Sequence, residues 1–278
     1  MIKIVDLGKA FDKYISGYVY KNIGKVKPEE IENKIPLLYE EFGKAPIKEL
    51  DGKSPEEYYR AFSTEELLDA LEKHVDGKVD VPDFLCEAIA EKTDAEEFIS
   101  KKLKEENSEE YTMYLLNMIS EKDCKKSLHR LLEFIMFDYT EPVRELSTEI
   151  LNGYADDVKE EILAQFKDSV EEKKACFTEI LSHANKDDRI FDLLIAEFAK
   201  HKDNIPLYAG YLGKYGDERA LPFLKTAASS DSINYQDYEE LRFAIEVLGG
   251  ECEERDFSKD KIYKKIKGES EKGNDKAE

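Results

Sequence analysis

Residues 207–228, LYAGYLGKYGDERALPFLKTAA, decide the fold. Leu212 closes an apolar helical run and a turn containing Gly216 follows. Asp217 offers a short side-chain acceptor that caps the next helix, and Leu221 with Phe223/Leu224 opens that helix's buried face. The stretch predicts one helical hairpin.

The same arrangement recurs in other letters: LNGYADDV from Leu151, LSHANKDDRI from Leu181 and LGGECEER from Leu248, with Ile89 before EKTDAEEFI and Ile119 before EKDCKKSLHRLL. These anchors, Ile89, Ile119, Leu151, Leu181, Leu212 and Leu248, are spaced 30, 32, 30, 31 and 36 residues apart. Two short helices per period of that size mark an α-solenoid. LGKYGDERALPFLKTAA resembles the HEAT-like repeats first described around phycobilisome lyases, with their LGxxGDxRALPxL pattern. The close match covers one repeat, and the others follow its spacing and polarity. The resemblance implies an all-α fold, an α–α superhelix of antiparallel hairpins of the HEAT/armadillo-like kind. It implies no activity, since such repeats serve scaffolds, lyases, hydroxylases and DNA glycosylases alike.

Around the array the chain divides into residues 1–52 as N-terminal capping helices, 53–250 as HEAT-like repeats, and 251–278 as a C-terminal helix and flexible tail. A small separate domain is the rival reading of 1–52, which lack the later period. Ile4, Leu7, Phe11, Tyr14/Ile15 and Tyr18 form one helical stripe over residues 3–20. A second helix starts near Pro28, and Pro36 splits it. Ser54-Pro55-Glu56-Glu57 reads as a capping box, as do Ser63 with Glu66, Thr93 with Glu96, Asn107 with Glu110 and Ser169 with Glu172. No stretch alternates with period two over a strand length. SSDSINYQD, within the 36-residue step, predicts a longer connection.

The net charge of -21 repels the phosphate backbone that supplies most nucleic-acid affinity and favours a basic protein segment as partner. Nucleic acid and membrane are therefore not expected as partners. Cys86, Cys124, Cys176 and Cys252 contain no C-x-x-C pair and read as small buried apolar residues in a reducing compartment. With no apolar signal core and no apolar run of membrane length, a cytoplasmic monomer is the expectation.

Catalytic chemistry finds little support in the residues. His74, His129, His183 and His201 recur in no ligand-forming pattern and read as surface or helix-end residues. The HEAT-like hydroxylases use repeated His-Glu pairs, and this chain has no His-Glu dipeptide. Its paired carboxylates, such as Glu65-Glu66, Asp156-Asp157, Glu171-Glu172 and Asp187-Asp188, fall at helix N-termini, where they complement the dipole. The glycosylase reading fails on the absence of Trp and the sign of the charge. Tyr208, Tyr211, Tyr215, Tyr235 and Tyr238 read as seam residues with hydroxyls in water, against a rival reading as peptide anchors. Arg144, Arg189 and Arg219 read as partners of local acids. No catalytic, cofactor-binding or metal-ligating residue is assigned, and no cofactor is expected. The expected function is a non-enzymatic protein-interaction scaffold, the alternative a small-ligand-binding or lyase-like enzyme acting in the solenoid groove.

Overall fold

Apolar residues three and four apart, interrupted by Ser, Asn and Asp caps and by Gly or Pro, wind the chain into short helices. A computed structural model describes residues 2–23, 28–137 and 139–266, and no strand occurs among them. The helices are α1 (Leu7–Asn22), α2 (Pro28–Glu32), α3 (Ile35–Lys44), α4 (Pro55–Arg60), α5 (Thr64–Asp76), α6 (Asp83–Ala90), α7 (Ala95–Lys102) and α8 (Glu109–Ser120). They continue with α9 (Leu128–Met136), α10 (Glu141–Asn152), α11 (Ala155–Gln165), α12 (Glu171–Leu181), α13 (Asp188–Lys200), α14 (Ile205–Tyr215), α15 (Leu221–Ala228) and α16 (Tyr235–Val247). Residues 261–266 are also helical, whereas the tail expected at 267–278 lies outside the described residues.

The spacing seen in the sequence corresponds to two helices. Ile89, Ile119, Leu151, Leu181 and Leu212 lie near the C-terminal ends of α6, α8, α10, α12 and α14, and Leu248 follows α16 directly. All six are buried, the most exposed being Leu248 at 5%. The longer step comes from the longer connection at 229–234, against 201–204 between α13 and α14, and from Leu248 lying past the end of α16 where Leu212 lies within α14.

Several helix starts differ from expectation by one residue. Ser63 and Glu66 form the reciprocal box. Before α7, however, Asp94 is the cap residue and its carboxylate accepts from Thr64 Oγ1 of α5 instead of from its own helix. Before α8 the cap is Ser108, while Asn107 donates to the carbonyls of Lys102 and Glu105. Val170 precedes α12, and Ser169 bonds back to Gln165 O. Pro36 divides α2 from α3, as its missing N–H requires.

The chain forms two compact units. The first comprises residues 1–130 and 140–146. In it α5 packs on α6, α7 and α8 through Leu67, Leu71, Leu85, Ile89, Ile99 and Leu115, each completely buried. Such a side chain contributes roughly 1.5–3 kcal/mol by leaving water. Within residues 1–52, α1 and α3 pack together and α3 continues onto α4. An aromatic cluster makes the junction: Phe11 lies 5.3 Å from Phe42, and Tyr39 stacks on Phe84 of α6 at 5.0 Å. The second unit comprises residues 131–139 and 147–278. There α14 packs against α12, α13 and α16, and α15 against α16. Order extends past Gly250: Phe257 closes on Tyr235 and Tyr238 at 5.4 and 4.9 Å, and Arg255 Nη1 donates to Ala228 O at 2.6 Å.

Within each unit, side-chain bonds join residues about one period apart. In the first, Arg60 binds Glu91 (31 residues on), Lys122 binds Ala90 O (32) and Ser100 binds Ser127 (27). In the second, Asn152 binds Glu179 (27), Asp156 binds Asn185 (29), Glu160 binds Arg189 (29) and Asp188 binds Arg219 (31). The interval that spaces the apolar anchors thus also spaces the polar contacts.

Gly216 and Gly43 are among the glycines that geometry requires. Gly216 ends α14 at φ 74°, the left-handed C-cap that a side chain resists. At Gly43 a Cβ would sit 2.5 Å from Phe84 Cε1. Gly43→Ala should therefore force the Phe84 ring aside and cost about 1–3 kcal/mol of stability, read as a lower denaturation midpoint with helicity retained. An unchanged midpoint would mean that α3 does not rest on α6.

Candidate interaction face

Helix α13, DRIFDLLIAEFAK, carries two faces. Ile190, Phe191, Leu194 and Phe198 point into the core, with Leu194 at 2% exposure. The other face presents Leu193, Ala196 and Ala199, half-exposed or exposed. Small side chains there leave space beside both neighbouring second helices. Between α11 and α13 a groove of about 700 Å³ is floored by Leu163, Ala164, Phe166, Leu193 and Ala196. Between α13 and α15 another of about 580 Å³ is walled by Phe198, Ile205, Pro222, Phe223 and Ala227. Phe223 departs from expectation. Leu224 and Ala228 take the buried face of α15, so Phe223 is left 45% exposed in the groove wall.

An arginine clamp lies at the N-terminal end of α13 and is repeated one hairpin later. Asp187 accepts from the backbone N–H of Arg189 at 2.9 Å and from its Nε at 3.1 Å, while both Nη atoms of Arg189 reach Glu160 at 2.9 and 2.6 Å. Asp217 accepts from the N–H and Nε of Arg219 in the same way, and Arg219 Nη1 reaches Asp188 at 2.8 Å. The Arg219 guanidinium also covers the Phe191 ring, 4.2 Å from its centroid. These hydrogen bonds hold the Asp187 carboxyl down at about 2 and push Glu160 and Asp217 below the ordinary carboxylate range. Arg189 and Arg219 are thus committed to local acids, as their positions in the sequence suggest. Asp192 and Lys167 line the first groove and Asp237 and Lys202 the second, while Glu197, at the edge of the first, is paired with His201.

Three of the five tyrosines read as seam residues, Tyr211, Tyr215 and Tyr238, bond their hydroxyls within the chain. Tyr215 O–H donates to Asp187 O at 3.0 Å and accepts from Asp187 N at 2.6 Å, pinning the turn before α13. Tyr211 O–H donates to Glu179, and Tyr238 O–H to Glu253 O. Tyr208 is buried against the His201 ring. Neither groove beside α13 is lined by a tyrosine.

Histidine placement corrects the surface reading at one position. His74 is completely buried, with Nδ1 donating to Asp80 O at 3.0 Å and Nε2 without a partner. Burial pushes its pKa down, so the folded chain favours the neutral ring. The signal was present in the steps Leu67, Leu71, His74, which place it on the buried face of α5. His129 is exposed, and His183 Nδ1 lies 3.1 Å from Glu179 O. His201 follows α13 and meets Glu197 from the same helix and Glu171 from the start of α12. The i,i+4 spacing of Glu197 and His201 is visible in the sequence, but Glu171 is brought to them by packing alone.

The clamp's contribution depends on pH. Asp187 falls from 3.8 to about 2 on folding, so its stabilisation is complete above pH ~4 and is lost as pH drops toward 2. Arg189→Gln should lower the thermal midpoint at neutral pH and flatten its acid-side fall; parallel curves for the two proteins would contradict this. No protein-family model, curated protein or solved structure matches this chain.

Proposed function

We propose that the chain is a non-enzymatic protein-interaction scaffold, an α-solenoid of HEAT-like hairpins whose grooves beside α13 take apolar side chains of a partner segment that also carries basic residues. The reading rests on one observation above others: two apolar-floored grooves of similar volume flank one helix, each between second helices of successive hairpins. A repeated surface suits an extended or helical segment that places anchors at regular intervals. Exposed Phe223 supplies one aromatic anchor point. The net charge of -21 would draw a basic segment and set its approach rate. Among the described residues no helix is long and apolar enough to cross a membrane.

A second reading has its own support, since both volumes fall within the roughly 300–1,000 Å³ typical of small-molecule sites. Phe223→Glu and Ala196→Glu alter exposed groove residues and should leave helicity intact. In an affinity capture at low salt, the wild-type chain should retain a protein that is released by added salt and lost with the double variant. Recovery of a small molecule alone, or a protein held equally by the variant, would overturn the scaffold reading.

A further inference from the structure

We propose that Glu171, Glu197 and His201 form a zinc site that closes the α12–α13 hairpin. One ligand atom from each lies within 4.8 Å of the others. His201 Nε2 is 3.2 Å from Glu197 Oε2 and 3.6 Å from Glu171 Oε2. Donors held about 2.1 Å from one zinc ion at tetrahedral angles stand about 3.4 Å apart, and these two separations bracket that value. One imidazole and two carboxylates with the fourth position open to water is a donor set that suits zinc.

Two further features set this cluster apart from an acidic surface patch. Glu197 is 8% exposed, and among its ionic contacts are the His201 imidazole and Lys200 Nζ at 3.9 Å. The other buried carboxylate among the described residues, Asp217, is held instead by an arginine fork and a backbone N–H. A buried charge requires a close counter-charge, and a dication would supply it. The His201 ring is itself fixed, lying face to face with Tyr208 at 4.5 Å and an interplanar angle of 2°. That stacking sets the ring plane, as outer partners do for ligating histidines.

Lys174 Nζ lies 3.5 Å from Glu171 Oε1, and Lys200 Nζ, which bonds Glu171 Oε2 and approaches Glu197, acts as the stand-in cation of the metal-free chain. Zinc must displace it, and its flexible, 46% exposed side chain can swing to solvent. The imidazole then offers its Nε2 lone pair, with its proton on Nδ1.

The test is calorimetric titration of ZnCl2 into the full, chelator-stripped chain, with excess Mg2+ present to occupy the acidic surface. One saturable zinc per chain is expected. Affinity should fall at least ~10-fold in His201→Ala and in Glu197→Gln, and rise in Lys200→Met, which removes the competing ammonium. Imidazole 15N shifts of the wild-type chain give an independent readout that no folding defect of a variant can obscure: zinc should move the His201 resonances. No saturable binding, affinity unchanged by His201→Ala, or zinc-induced shifts confined to His129 or His183 would each overturn the site.

Discussion

The structure depends on a shortage that its short helices share: from α5 to α16 each runs eight to thirteen residues and cannot bury an apolar stripe by itself, so each needs its neighbours. Leu181, Leu212 and Leu248 are the repeated answer, each shielded near the end of the first helix of its pair. The polar contacts follow from the same need. Once the apolar seam sets neighbours one period apart, side chains such as Glu160 and Arg189, or Asp188 and Arg219, are delivered to each other across that interval. Hydrophobic burial supplies most of the energy, and the exposed ion pairs fix register more than they add stability.

The repeated Asp-x-Arg clamp shows how register and surface chemistry are linked. Asp187 caps its own helix and orients Arg189 toward the preceding hairpin, and Asp217 does the same for Arg219. Arg189 and Arg219 are thereby consumed internally, whereas Lys167 lines the first groove and Lys202 the second. The proposed partner is basic because the whole chain carries a net charge of -21; the groove linings themselves carry both signs. The grooves arise where α13 and α15 carry Ala on their outer faces, since a larger side chain at Ala196 or Ala227 would fill them.

Much of the fold was legible in the sequence because it is local. Apolar steps of three and four, Pro36, Ser63 with Glu66 and the six anchors each depend on residues close in the chain. Thr93 with Glu96 reads as a box, yet α7 starts after Asp94, whose carboxylate is bonded by Thr64 thirty residues away, a contact that local sequence does not carry. Phe223 was read as buried because periodicity cannot rank it against adjacent Leu224. His74 was misread because residue type outweighed its position on the stripe. The candidate site was hardly legible at all: grooves are made by what neighbouring helices lack, and Glu171 meets Glu197 and His201 only after α12 packs on α13.

If each hairpin is held by its immediate neighbours, damage to one should stay near it. Hydrogen exchange followed by mass spectrometry on the full chain carrying Leu212→Ala addresses this most directly. The account predicts faster exchange in α12 to α16 with α5 to α8 as protected as in the wild-type chain. Loss of protection spread evenly from α5 to α16 would show a single shared core and contradict it.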